Sequence, residues 1–304
     1  MTDTVIESIR KNVGNAAVLI NEPMSKHTTF KIGGTADILV EPESADCILA
    51  VLEVLKNNNI SFFVMGNGSN LLVADSGIKG AVIKISNSMS AAGVDGEYIE
   101  AECGIKLSRL ANLAQSSSLT GLEFASGIPG TLGGALFMNA GAYGGEMRDV
   151  VKSVTYLDIK SGELKTISGD ECEFGYRHSI FSKVDAVIIS ARLKLASGDA
   201  EEIRKTMNEL AQRRNEKQPV DKPSAGSTFK RPEGHFAGTM IQDCGLKGYR
   251  IGGAEVSRKH AGFIINAGGA TAKDVRDLIE YVQDTVEDKF SVRLEPEVRF
   301  VGEF

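Results

Sequence analysis

Residues Glu123–Glu146 read E-F-A-S-G-I-P-G-T-L-G-G-A-L-F-M-N-A-G-A-Y-G-G-E. Gly127, Gly130, Gly133, Gly134, Gly141, Gly144 and Gly145 crowd this stretch, and its only charges are the two terminal glutamates. Glycine this dense in an apolar setting lets backbone approach a ligand closely and turn N–H groups toward it. A diphosphate-bearing cofactor is the candidate occupant. The alternative is a structural Gly-rich turn, or tight helix packing at Gly133–Gly134.

A second polar Gly loop, Gly66-Asn67-Gly68-Ser69-Asn70, follows the apolar run Phe62–Met65 at once. Neither loop is a G-x-G-x-x-G entering a long helix, and neither ends in G-K-[ST], so the Rossmann and P-loop readings fail on residue type. What remains is a diphosphate held by two separate loops, as an extended dinucleotide such as FAD requires. Asn67, Ser69 and Asn70 add neutral donors that satisfy phosphate oxygens without a lysine. Taken alone, this loop also fits a β-turn with Asn in left-handed geometry.

The totals bound the rest. A chain of 304 residues is long enough for two or three domains, and 42% hydrophobic and 24% charged residues with no Trp and 7 Pro read as globular. A net charge of −6, with no basic cluster longer than Arg213–Arg214, argues against a nucleic-acid partner. No apolar run approaches a membrane span. The start, M-T-D-T-V-I-E-S-I-R, is acidic and amphipathic rather than a signal peptide, which predicts a cytoplasmic protein. Cys47, Cys103, Cys172 and Cys244 lack C-x-x-C spacing and read as buried thiols rather than disulfides or metal ligands. His27, His178, His235 and His260 show no ligand spacing, so no metal is expected.

Along the chain, residues 1–22 read as a helix and a connector, and Ala36–Val40 as a strand. A helix capped by Ser44 runs to about Asn58 with Ile48, Val51, Leu52 and Leu55 on one face. Strands follow at Phe62–Met65, Leu71–Val73, Ala81–Ile85 and Tyr98–Ala101. Helices are expected at Lys106–Ser116 and Leu132–Asn139, then a hairpin of Val150–Asp158 with Glu163–Ile167, and a strand Ala186–Leu195. Asp199–Arg214 reads as an amphipathic helix with Ile203, Met207 and Leu210 inside, and Ala237–Cys244 as a short helix. After a strand at Phe263–Asn266, Thr271 opens a capping box into a helix ending near Phe290. A strand over Leu294–Val301 closes the chain. The expected division is 1–86, 87–197 and 198–304.

Three further places carry polar groups in apolar or Gly-bounded surroundings. Arg177, in F-G-Y-R-H-S, could anchor a carboxylate bidentately or pair with a surface acid. Ser227, in S-A-G-S-T-F-K, has Gly226 beside it and Lys230 three residues on; a turn hydroxyl is the alternative. Glu295 and Glu297 flank Pro296 and share a face if the strand is regular, with salt bridges as the alternative.

Together these motifs resemble the UDP-N-acetylenolpyruvoylglucosamine reductase family. The resemblance runs through H-T-T-F-K-I-G-G-T-A-D, G-N-G-S-N-L-L-V, G-I-P-G-T-L-G-G-A-L-F-M-N-A-G-A-Y-G, F-G-Y-R-H-S-I-F, R-R-N-E-K-Q-P, S-A-G-S-T-F-K-R-P, I-G-G-A-E-V-S-R-K-H-A-G-F-I-I-N and L-E-P-E-V-R, in order from about residue 27 to 299. It implies an α+β FAD-binding fold of the vanillyl-alcohol-oxidase type. Residues 1–86 and 87–197 would be the FAD-binding subdomains, and 198–304 an α+β substrate domain. FAD would be held by Gly66, Asn67, Gly68, Ser69 and Asn70. Gly127, Pro129, Gly130, Thr131, Gly133, Gly134, Asn139, Gly141, Ala142, Tyr143 and Arg214 would complete the FAD site. No His stands in G-N-G-S-N, so non-covalent FAD is expected. Only a short stretch separates Tyr176–Ser179 from Ala186, which is similar to the branch lacking a longer tyrosine-bearing loop. Arg231 in F-K-R-P also departs from the F-K-N-P of the longer-loop branch.

The resemblance further implies NADPH as hydride donor, a nucleotide-sugar substrate and a role in peptidoglycan precursor synthesis, without nucleic-acid or membrane partners and as a monomer. Arg177, Ser227 and Glu297 would be catalytic, and Tyr176 and Lys230 would touch substrate. Arg177 would clamp the carboxylate of the enolpyruvyl group, a buried Glu297 would assist it, and Ser227 would give its proton to C2. The competing readings are a flavin oxidase of the same fold acting on an alcohol or sugar, and a nucleotide-sugar binding protein without redox chemistry.

Overall fold

The computed structural model describes residues 2–14 and 17–304. The chain divides into two compact units, one of residues 1–19, 38–67 and 80–213, the other of residues 20–37, 68–79 and 214–304.

Unit one contains two hydrophobic clusters. In the first, α1 (Asp3–Val13) buries Val5, Ile6, Ile9 and Val13, and α2 (Ala45–Asn57) buries Ile48, Val51, Leu52 and Leu55. Both stripes repeat at helical spacing, so each helix puts one apolar face inward. Ser44 starts α2 because its Oγ accepts the Cys47 N–H at 3.1 Å. The sheet order is Val18–Pro23, Thr35–Val40, Ile78–Lys84, Phe62–Met65, with Phe62–Met65 parallel to Ala81–Lys84; of its strands, residues 18–19, 38–40, 62–65 and 80–84 fall in this unit. Val18–Pro23 is a strand where a connector is expected. It stands at the end of the sheet order with Val18 alone buried, so it carries no alternating pattern to read.

The second cluster lies against an antiparallel sheet ordered Leu164–Ser168, Val151–Asp158, Ala186–Lys194, Tyr98–Glu102, Ala92–Asp95. Helix α3 (Leu107–Ser116) buries Leu107, Leu110, Ala111 and Ala114 in it, and the short α4 (Leu132–Phe137) adds Leu132, Ala135 and Leu136. The following helix, α5 (Ala200–Lys217), departs from the expected amphipathic stripe. Only Ile203 is buried, while Met207 and Leu210 stay half-exposed.

In unit two, after α6 (Ala237–Asp243), helix α7 (Ala272–Phe290) buries Val275, Leu278, Ile279, Val282 and Val286 in one cluster with Ala254, Val256 and Ile264. Those three residues lie on the sheet Arg250–Ile251, Ala254–Val256, Ile264–Asn266. The first turn of α7 is capped twice. Thr271 and Asp274 form a capping box, and the Asp75 carboxylate accepts the N–H groups of Ala272 and Lys273 at 2.8 and 3.0 Å. Strand Arg299–Val301 pairs in parallel with Leu71–Val73. The strand expected over Leu294–Val301 shrinks to this end, because Pro296 interrupts its N-terminal half. That half instead meets Ser227–Lys230 through a Phe229–Pro296 bridge.

Candidate active site

In unit one the two Gly loops meet. The Asn67 Nδ2 donates to the Pro129 carbonyl at 2.6 Å. A Cβ on Gly66 would lie 2.2 Å from Thr131 Oγ1, so only glycine lets the chain pass there. Residues 103–107 run alongside: the N–H groups of Leu132 and Gly133 donate to the Ile105 and Cys103 carbonyls, both at 2.9 Å, and Leu107 N–H to Gly130 at 3.1 Å. Gly133 makes this approach possible, since a Cβ there would sit 3.0 Å from Cys103 Cβ. Burial pushes the Cys103 thiol up from its ordinary value, so it packs rather than reacts.

Beside this junction lies a cleft of about 390 Å³, lined among others by Gly66, Asn67, Lys84, Ser86, Lys106 and Thr131. Lys84 pairs with Glu41 at 2.7 Å. Lys84, Ser86, Gly104 and Lys106 are not among the site residues expected from the sequence. The signal for them was Gly104, where a Cβ would strike the Ser86 carbonyl at 1.9 Å. The lining suits FAD. Glycine backbone, the Asn67 and Asn87 amides, the hydroxyls of Ser86, Ser88 and Thr131 and the cations Lys84 and Lys106 line the groove together with the carboxylates of Glu41 and Glu43. Gly127, Pro129 and Gly134 are exposed, and a Cβ on Gly134 would meet nothing nearer than Thr131 Oγ1 at 3.8 Å. Gly141–Ala142 and Gly145–Glu146 form a hairpin whose turn is Tyr143-Gly144, with φ of 55° and 94°. The Arg213 guanidinium stacks over Tyr143 at 5.1 Å.

Arg177 also belongs to unit one. Gly175 and His178 close a tight turn through N–H to carbonyl bonds of 3.0 and 3.2 Å. Arg177 holds its third position at φ 52°, a left-handed conformation that a long side chain rarely takes. The exposed Tyr176 ring lies 5.1 Å beneath the guanidinium carbon. Two buried side chains anchor this turn. Ser179 Oγ donates to the Phe137 carbonyl at 2.7 Å, at the end of α4. Asn139 Nδ2 donates to the Gly175 carbonyl at 3.0 Å and to Glu146 Oε2 at 2.9 Å, while its Oδ1 accepts the Arg148 N–H at 2.9 Å.

Unit two holds the other expected residues, and its backbone brings Ser227 and Glu297 together. The Thr228 carbonyl accepts the Glu297 N–H at 2.8 Å, and the Glu295 carbonyl accepts the Lys230 N–H at 2.8 Å. Ser227 is thus one residue from the partner of Glu297. Gly226, at φ 78°, leaves open space beside it. Thr228 is buried and fixed by bonds from its own N–H to Gly262 and from Ile264 N–H to its Oγ1. Asn70 Nδ2 donates to the Glu297 carbonyl at 3.0 Å, and Asn70 also accepts the Arg299 N–H. Gly68, at φ 62°, accepts the Thr29 N–H at 3.3 Å. Ser69 and Arg214 are half-exposed and fall in this unit, while Gly66 and Asn67 fall in the other. Lys230 pairs with the exposed Glu295. Glu297 is half-buried, against the expectation of full burial: with Leu294–Val298 outside the regular sheet, only Leu294 and Val298 of that segment turn fully inward. Arg231 stacks on Phe236 at 4.0 Å.

All four cysteines are free thiols, and no group of three or more His, Cys, Asp or Glu among the described residues could hold a metal ion. No helix among the described residues is long and apolar enough to cross a membrane.

Comparison with known proteins agrees with this geometry. Residues 218–301 match the family described as UDP-N-acetylenolpyruvoylglucosamine reductase, C-terminal domain, and residues 36–168 match an FAD binding domain. The UDP-N-acetylenolpyruvoylglucosamine reductase of Caldanaerobacter subterraneus subsp. tengcongensis is 52% identical over 303 residues, covering 100% of both chains. That of Alkaliphilus oremlandii is 51% identical, covering 98% of this chain and 97% of its own. The crystal structure of the Thermus caldophilus enzyme superposes with a TM-score of 0.81 at 34% identity, covering 94% of this chain and 98% of that one. Alkyldihydroxyacetonephosphate synthase, at a TM-score of 0.50 and 15% identity over 65% of this chain and 41% of its own, shares the fold alone. The fold is the FAD-binding fold of the vanillyl-alcohol-oxidase type, and the cofactor is FAD. The chain belongs to the UDP-N-acetylenolpyruvoylglucosamine reductase family.

Proposed function

We propose that this chain reduces the enolpyruvyl group of UDP-N-acetylglucosamine enolpyruvate to the lactyl ether of UDP-N-acetylmuramate, with NADPH as reductant. The observation that carries the chemistry is the backbone pairing of the Ser227–Lys230 segment with Glu295–Glu297, which brings Ser227 within one residue of the backbone partner of Glu297. The substrate is an electron-poor alkene conjugated with a carboxylate. Bound FAD supplies the hydride that reaches C3 of this group, NADPH being its source. In the cleft, Gly66, Asn67, Ser86, Lys84, Lys106 and Thr131 hold the cofactor.

Arg177 binds the substrate carboxylate with its planar fork and stabilises the enolate that develops there. Tyr176 supports the guanidinium from below. Ser227 Oγ gives its proton to C2, which completes the reduction of the double bond, and recovers one from solvent. A hydroxyl is a weak acid, but an enolate carbon is a strong base, and positioning supplies much of the difference. Glu297 assists at the carboxylate, and Lys230 lowers the cost of the alkoxide left on Ser227. We read 1–86 and 87–197 as FAD-binding subdomains and 198–304 as the substrate domain, although Phe30, Ile32 and Leu72 pack in the cluster of the last and Leu157, Val187 and Ile189 in the cluster of the first. In this reading the protein is a cytoplasmic monomer.

Ser227→Ala tests the assignment by separating the half-reactions. Reduction of the flavin by NADPH stays near wild type, while its reoxidation by substrate falls by about 10²–10⁴-fold, the usual loss for a missing general acid. Equal losses in both half-reactions would show that Ser227 is not the proton donor.

A further inference from the structure

We infer that Asn139 is a positioning residue for Arg177, joining the Gly-rich stretch to the turn that presents the guanidinium. This rests on the proposal that Arg177 holds the substrate carboxylate. Asn139 is fully buried and sits at φ 46°, so its direction is set by backbone and packing alike. Its two Nδ2 hydrogens are divided between Glu146 Oε2 and the Gly175 carbonyl, and its Oδ1 takes the Arg148 N–H. Glu146 is itself fixed, by the capping box with Asp149 and by its ion pair with Arg148. One rigid amide therefore spans three segments, and the last of them is the first residue of the Arg177 turn.

That turn needs an anchor. Two backbone bonds close it, Ser179 ties its far end to Phe137, and Arg177 stands in a strained left-handed conformation at its corner, so the Gly175 end depends on Asn139. Removing the bond to Gly175 frees the turn to relax, and displacement of a clamp by about 1 Å costs on the order of 10²-fold in rate. The family resemblance puts Asn139 among the FAD-holding residues, but the cleft at Gly66, Lys106 and Thr131 does not include it, and its side-chain bonds run to Glu146, Gly175 and Arg148, so we assign it to the turn rather than to the flavin.

The test uses the FAD-loaded enzyme carrying Asn139→Asp, with Asn139→Ala as second variant. Asp tolerates positive φ and keeps the acceptor for Arg148, but it lacks both donors. Four quantities are read: flavin content, rate of flavin reduction by NADPH, Kd for UDP-N-acetylmuramate, and rate of flavin reoxidation by substrate. Each is measured with Arg177 intact and in Arg177→Ala. We expect flavin content and the NADPH rate within about twofold of wild type, Kd raised about tenfold and reoxidation slowed by about 10²-fold. In the Arg177→Ala background the same substitution adds less than about twofold, because the two residues act as a unit. Equal losses in both backgrounds would overturn the inference, as would loss of flavin from Asn139→Asp. Wild-type product affinity and reoxidation in Arg177→Ala alone would instead remove the carboxylate clamp, and the inference with it.

Discussion

Gly66 shows how much a single missing side chain can decide. Its Cα lies so close to the Thr131 hydroxyl that a methyl group would overlap it at 2.2 Å, and the same contact brings the two Gly loops to one wall of the cleft. Gly66→Ala is therefore expected to weaken FAD retention about tenfold or more, the scale of a 1–3 kcal/mol overpacking penalty. Thr131→Ala in the same chain restores part of it, as read by flavin content after gel filtration; no recovery would show that the contact is not the cause. Glycine density made this region legible, because few other residue types allow such approach. Arg177, Ser227 and Glu297 are proposed through ordered motifs rather than singly, since a lone arginine, serine or glutamate has ordinary structural uses. The work of Asn139 was hidden. Its bonds reach Gly175, and no spacing rule links residue 139 to residue 175.

At the scale of elements, α7 is the best-read part of the chain. A capping box and a stripe at helical spacing both survive in the structure. Asp274 accepts the N–H groups of Thr271 at 3.0 Å and Gly253 at 3.1 Å, and these bonds, with the Thr271 backbone foremost, hold its carboxyl below the ordinary 3.8. A lowered folded-state value means that the carboxylate stabilises the fold above the ordinary aspartate range. That contribution is lost as pH falls through the lower folded value. Asp274→Ala is expected to cost about 1 kcal/mol at neutral pH, as read by hydrogen exchange of the α7 amides. Wild type and variant should converge once pH has fallen below the lowered folded-state value. A difference that persisted there would place the loss in packing rather than in charge. Helix α5 and strand Val18–Pro23 were read less well, for one reason. Each buries a single residue, and a pattern of one has no period.

At the scale of the whole molecule, composition and motif order led to an FAD-binding α+β protein, and the fold and relatives agree. What order along the chain could not show is that unit two draws residues 20–37 and 68–79 together with 214–304. These segments are joined by tertiary bonds such as Asn70 to Glu297 and Asp75 to the first turn of α7, and such bonds leave no local pattern. Residues 66–70 are divided between the units: Gly66 and Asn67 line the cleft in one, and Asn70 bonds the Glu297 carbonyl in the other.

The most direct measurement is anaerobic. The FAD-loaded protein is bleached with one equivalent of NADPH, and UDP-N-acetylglucosamine enolpyruvate is then added while flavin absorbance is followed. The account predicts that the oxidised flavin spectrum returns in proportion to the enolpyruvyl substrate, with UDP-N-acetylmuramate as product. A flavin that stays bleached with this substrate and recovers only on admitting O₂ would contradict it, and would favour an oxidase built on the same fold.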